Sequence, residues 1–169
     1  MMSDSSDKLL TRAIRYISIR DRSEKEIVDY LSKKIDGRWK NKFRKEDEEG
    51  RKDTIGEVVE KLKEMGLVDD TEFVRKWVGY RHRSGKGPVR IAMELYKKGI
   101  DKTTAKKFLM EIDDNGWAEK ATELLTKRMK QWKGLDYWKQ KEKAIRFLTY
   151  RGFPLVTVRS AIDQVLKER

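Results

Sequence analysis

The sequence predicts an all-α fold: three tandem three-helix, helix-turn-helix-like repeats forming an elongated array. Three observations predict it. Nine segments carry apolar residues at helical spacing, and none shows sustained strand alternation. Three segments close in the same way, with L-x-x-x-G followed by an apolar residue: LKEMGL at 62–67, LYKKGI at 95–100 and LTYRGF at 148–153. Two octapeptides far apart in the chain also match in residue type at nearly every place, AIRYISIR at 13–20 and AIRFLTYR at 144–151. Such recurrence within 169 residues marks tandem units, each small enough to need its neighbours to bury a core. The divisions fall at residues 1–68, 69–115 and 116–169, with a charged insertion at 36–53 in the first repeat.

Helix one is predicted over Asp7 to Ile19, with Leu10, Ala13, Ile14 and Ile17 on its inner face. Ser23 to Glu26 reads as a capping box, in which the serine oxygen takes an orphan amide and the glutamate reaches back. It opens helix two, with Ile27, Tyr30, Leu31 and Ile35 inside. Gly37 to Asp53 is highly charged and lacks an apolar face, which predicts an exposed loop. Thr54 to Glu57 matches a second capping box and opens helix three, carrying Val58, Val59 and Leu62. Asp69 or Asp70 caps helix four, which buries Phe73, Val74 and Trp77.

Helix five starts at Pro88, whose missing amide hydrogen suits a first helical position, and buries Ile91, Ala92 and Leu95. Asp101 caps helix six, with Ala105, Phe108, Leu109 and Ile112 inside. Asn115-Gly116 is read as a break before helix seven, which runs over Trp117 to Trp132 with Ala121, Leu124 and Leu125 as its stripe. Asp136 caps helix eight, bearing Ala144, Ile145 and Leu148. Pro154 opens helix nine, with Val158, Ala161, Ile162 and Val165. The three shared endings read as Schellman stops: a left-handed glycine ends the helix and the next apolar residue folds back on its last turn.

The composition bounds function. Charged residues make up 41% of the chain, against about 25% in an ordinary domain. The 37% of apolar residues still suffices for folded cores. There is no cysteine, which excludes disulfides and thiolate chemistry and suits a reducing cytosol. No apolar run approaches the ~20 residues of a membrane span, and MMSDSSDKLL lacks the pattern of a signal peptide. A cytoplasmic protein is expected.

The formal net charge is +12, and it is unevenly placed. Residues 1–74 carry a net −1, residues 75–110 a net +9, residues 111–119 a net −4 and residues 120–169 a net +8. Two basic thirds beside a neutral one point to a polyanion or an acidic protein surface as partner.

Catalytic chemistry finds no footing. His82 is the only histidine and lies in a basic helix, so no nucleophile–base pair assembles around it. Cys/His metal sites are absent. The acidic run Glu46 to Glu49 lacks the ligand spacing of a calcium loop. Ser84-Gly85-Lys86-Gly87 imitates a phosphate loop but has the wrong glycine spacing, and Gly87 stands where Ser or Thr would hold magnesium. The expectation is a non-enzyme with no cofactor and no bound metal.

The stretches AIRYISIRDRSEKEIVDYL, LKEMGLVDDTEFVRKWV, RSGKGPVRIAMELYKKGI and KAIRFLTYRGF, in that order, resemble the RecX regulators of the RecA recombinase. The resemblance covers most of the chain, and GLVDDTEF and GKGPVRIAMEL are its most specific blocks. One departure is the run KKIDGRWKNKFRKEDEEG, which replaces the family's shorter K-G-F-like stop after helix two. The resemblance implies a monomeric regulator that lodges in the groove of the RecA–DNA filament, with single-stranded DNA met directly or through the filament. It would restrain ATP hydrolysis, strand exchange and filament growth in DNA repair and recombination.

Two other readings compete. One is a stand-alone helical DNA-binding module, since a basic helix of a three-helix unit can enter the major groove. The other is a helical adaptor whose charge serves solubility. The expected filament or DNA contact comprises Arg81, Arg83, Lys86, Arg90, Lys97 and Lys98, with Arg146, Arg151 and Arg159.

Overall fold

The structure is a computed structural model and describes residues 4–39 and 48–166. Those residues form nine α-helices and a 3₁₀ turn, and no strand. In order they are α1 (Asp4–Ile17), α2 (Glu24–Trp39), α3 (Glu48–Glu64), α4 (Asp70–Arg83), α5 (Pro88–Lys97), α6 (Lys102–Leu109), α7 (Asp114–Met129), the 3₁₀ turn Lys130–Trp132, α8 (Tyr137–Arg151) and α9 (Leu155–Val165). The helices follow as three groups of three. By compactness the chain divides into two units, residues 1–73 and 74–169, with the division inside α4.

In the first unit α1, α2 and α3 pack on one another around Leu9, Ala13, Ile27, Leu31, Val58 and Leu62. Burying one such leucine contributes about 1.5–3 kcal/mol, so these few side chains hold the three helices together in a strongly charged chain. Tyr16 stacks on Tyr30 with centroids 4.0 Å apart, and the Arg22 guanidinium lies 3.9 Å from the Tyr16 centroid. The capping box is present: Glu26 N–H donates to Ser23 Oγ, and Ser23 N–H donates to Glu26 Oε2, both at 3.3 Å. Asp69 is the cap of α4, accepting from Thr71 and Glu72 N–H. Asp70 instead accepts from Glu24 N–H at 2.8 Å and so helps cap α2. Burial pushes the Asp70 carboxyl upward, with the Glu24 amide partly opposing it.

The second unit holds the other two groups. There α7, α8 and α9 pack mutually, and α5 packs on α6. Its core includes Val74, Ile91, Leu95, Leu125, Leu148 and Val158, all fully buried.

The three glycine stops are Schellman turns. Leu67 N–H donates to Leu62 O at 2.9 Å, Ile100 to Leu95 O at 3.1 Å and Phe153 to Leu148 O at 3.2 Å. A fourth closes α4, where Lys86 N–H donates to Arg81 O at 3.0 Å around a left-handed Gly85. Ile100 and Phe153 are buried as the motif demands, but Leu67 is 41% exposed.

Several expectations are corrected. Residues 37–39 continue α2 and residues 48–53 begin α3, so the loop expected over 37–53 is helical at both described ends. The rest of that loop, residues 40–47, lies outside the described residues. Thr54 caps nothing: it sits inside α3 and its hydroxyl donates back to Gly50 O. Helix-forming residues on both sides of Thr54 outvote its capping preference. Asn115 and Gly116 do not break the chain but form the first turn of α7, because the Asp113 carboxylate accepts from Gly116 N–H at 2.7 Å. Ile14 and Ile145 lie on exposed faces, at 36% and 39%. Leu9 and Ala13 carry the inner face of α1 instead.

The turn before α5 meets the end of α8 at very close range. A Cβ at Gly87 would stand 2.4 Å from the Gly152 carbonyl and the Phe153 nitrogen, and one at Gly152 would stand 2.5 Å from Arg90 Cβ. Both obstacles are backbone or its first side-chain atom, which have no room to rotate away. Gly87→Ala and Gly152→Ala should each lower stability by about 1–3 kcal/mol through overpacking, the second adding left-handed strain. Gly134→Ala, in open space with an ordinary φ, should be neutral. Urea unfolding of the three variants checks this ordering.

Candidate functional site

The site grows from backbone groups that helices leave unpaired at their ends. Gly87 N–H donates to Arg151 O at 2.8 Å, and Val89 N–H to Gly152 O at 3.1 Å. The amino end of α5 thus abuts the carboxyl end of α8, so opposite ends of two helix dipoles face each other. Arg90 Nη1 donates to Tyr150 O at 3.3 Å, and Arg151 Nη1 to Gly85 O at 3.0 Å. The turn 84–87 therefore gives amides to carbonyls, and its likeness to a phosphate loop ends there.

This docking gathers cations. Arg90, Arg151 and Arg81 come close enough to act on Lys86, with Glu94 as the nearby carboxylate. Arg81 holds Glu94 through two bonds, one from Nε at 2.6 Å and a second from Nη2. Arg90 Nε adds a longer bond at 3.4 Å. Burial alone would raise the Glu94 carboxyl, but the Arg81 hydrogen bonds and the charges of Arg81 and Arg90 outweigh it and hold it below the usual range. Lys86 is pushed down, first by burial and then by Arg90, Arg151 and Arg81. Burial also lowers Arg151, with Arg128 and Arg90 adding to it. An arginine stays charged regardless, so the cluster carries more positive charge than its carboxylate balances.

Of the nine expected contact residues, four meet here: Arg81, Lys86, Arg90 and Arg151. Arg81 is bound into the Glu94 pair and also lies 5.6 Å from the Trp77 ring, which gives it a structural task. Arg83 is exposed at the end of α4. Lys97 is exposed on the last turn of α5, whereas Lys98 sits 4.3 Å over Trp77. Arg146 pairs with Glu142 at 3.1 Å on the outside of α8, and Arg159 is exposed on α9.

Two neighbours went unpredicted. Tyr150 is 75% exposed, with Arg90 at 5.4 Å from its ring. Arg128 lies 5.7 Å from the Phe147 ring, which Arg151 approaches to 4.7 Å. The K-R-M-K end of α7 is the signal that would have flagged Arg128.

A separate apolar groove of about 660 Å³, lined by Pro88, Tyr96, Leu109, Met110 and Trp117 among others, includes none of the nine. Among the described residues no His/Asp/Glu group is disposed to hold a metal ion, and no helix is long and apolar enough to cross a membrane.

Comparison with known proteins agrees with this three-group architecture. Models of the first, second and third three-helix domains of RecX match residues 10–36, 69–109 and 118–162. The Regulatory protein RecX of Salmonella paratyphi A is 33% identical over 146 residues, which are 86% of this chain and 84% of that one. Its Salmonella arizonae counterpart is 34% identical over the same shares. The crystal structure of RecX from Lactobacillus salivarius superposes with a TM-score of 0.77 at 25% identity, covering 96% of this chain and 97% of the other.

The Glu94 pair yields a prediction with a definite sign. Glu94→Gln removes the charge-assisted bonds and should cost about 1–3 kcal/mol at neutral pH. A depressed carboxyl stabilises fully above its unfolded value, ~4.3, and loses that effect as pH falls through its lower folded value. The stability difference between parent and variant should therefore hold from pH 7 to about 5 and close below pH 4. Urea titrations across that range check it.

Proposed function

Because the chain belongs to the RecX family of regulatory proteins, we propose that it binds the RecA–DNA filament and restrains its ATPase, strand exchange and growth, without catalysis of its own. The observation that carries the reading is the junction cluster, in which Arg90, Arg151 and Arg81 press on Lys86 while the nearby carboxylate, Glu94, is bound chiefly by Arg81. Like charges brought together and desolvated cost stability. A phosphate or carboxylate supplied by a partner would offset that cost, and a filament of protein on DNA presents both. Exposed Arg83 extends the basic face from the end of α4, and exposed Lys97 from the end of α5.

Residues that bind can be separated from residues that hold the fold. Lys86 is disfavoured as a cation in the folded state, so Lys86→Gln should raise stability slightly while weakening filament binding. Reversal of Arg83, Lys86 and Arg90 to glutamate should relieve inhibition of recombinase ATPase and leave helicity unchanged. If phosphates are the ligands, the log–log salt slope on single strands should become shallower by about 0.7 for each phosphate no longer neutralised. The same reversal at Lys8, Arg12 and Lys25, in the neutral third of the chain, should do much less. Filter binding on bare and RecA-coated single strands, with an ATPase assay, reads all of these. Equal loss from both triple variants would mean that net charge alone matters and would overturn the assignment.

A further inference from the structure

Residues 127–143, KRMKQWKGLDYWKQKEK, contain seven basic residues and two acidic ones, interleaved with Trp132, Tyr137 and Trp138. Neither these aromatic residues nor the lysines among them belong to the helix junction. The segment covers the end of α7, the 3₁₀ turn and the start of α8.

Its turn is firmly built. Gln140 Nε2 donates to Trp132 O at 3.0 Å and to Leu135 O at 2.9 Å, and the Asp136 carboxylate caps α8 through Lys139 N–H at 3.0 Å. This frame presents Trp138, which is 71% exposed. Tyr137 meets Trp138 edge to face, with centroids 5.4 Å apart and planes at 79°. Lys141 Nζ lies 5.5 Å from both ring centroids. The indole is thus braced by a second ring and a cation while most of its surface stays open. Lys130, Lys133 and Lys143 are exposed nearby in sequence, and among the described residues none of them pairs with a carboxylate.

We propose that Trp138, braced by Tyr137 and Lys141, is a stacking platform for an unpaired base of single-stranded DNA, with Lys130, Lys133 and Lys143 drawing in its phosphates. An exposed aromatic face in a segment of exposed lysines fits a single strand, which offers both π-faces and anions. A duplex hides its base faces and would meet only the lysines. The surplus of five positive charges over this segment disfavours an apolar or basic protein partner.

The platform does not depend on the filament reading, and its test keeps the two apart. The full chain is titrated with oligothymidylate, with an abasic oligomer of equal length and charge, and with anionic phosphatidylglycerol vesicles, following tryptophan fluorescence and anisotropy. Thymidylate should quench the fluorescence and bind tighter than the abasic strand. Trp138→Ala should weaken thymidylate binding about tenfold or more, as expected for the removal of one stack. It should leave abasic binding and the salt slope unchanged, and Trp138→Phe should keep much of the affinity. The triple reversal at Arg83, Lys86 and Arg90 should preserve the difference between thymidylate and abasic strands. Equal binding of the two strands, full thymidylate affinity in Trp138→Ala, or a response to vesicles but none to thymidylate would overturn the proposal.

Discussion

The second unit depends on one end-to-end contact between helices. The last carbonyls of α8 need donors and the first amides of α5 need acceptors, and Gly87 and Gly152 let the two ends approach closely enough to serve each other. A side chain at either glycine would hold the backbones apart, and the Gly87 and Val89 bonds would break together. The contact also fixes chain direction, since α5 leaves the junction where α8 arrives. The remaining side-chain positions at the site follow from that geometry.

Electrostatics are a consequence of this docking. Arg90 reaches Tyr150 O because its helix begins at the junction, and Arg151 reaches Gly85 O because its helix ends there. Satisfying carbonyls therefore concentrates guanidinium groups, and Glu94 moderates the concentration without neutralising it. The two similar octapeptides show that local likeness does not carry electrostatics with it. Arg20, at the place equivalent to Arg151, is paired to Glu26 at 2.6 Å in the first unit. The two arginines share a position in a repeat and differ in what surrounds them.

The basic surface of this chain is not uniform. Arg81 and Lys98 are drawn over Trp77, Arg146 is tied to Glu142, and Arg83 and Lys97 are exposed at helix ends. A cation whose charge is already taken up by a part-buried carboxylate, as that of Arg81 is by Glu94, is a poor candidate for partner contact, since breaking that pair offsets the gain. The distinction between structural and available charge narrows a set of nine residues to a smaller face.

Local information determined the helices, their caps and their stops. Ser23-Glu26, Asp101 and Asp136 act within three residues of themselves, and the Schellman glycines within five, so the signals are complete in the sequence. Local signals misled where a competing local preference outweighed them, as at Thr54 inside α3 and at Asn115-Gly116, which Asp113 captured into α7. The glycines and proline of residues 85–88 mark a turn, but its Schellman geometry is not written in the local pattern, because Lys86 stands where the motif has an apolar residue. The cation cluster was legible only as a surplus of charge. Which arginines meet depends on residues more than sixty positions apart being brought to one point. Composition carries no record of that, because the approach is decided by how two helix ends fit across two glycines.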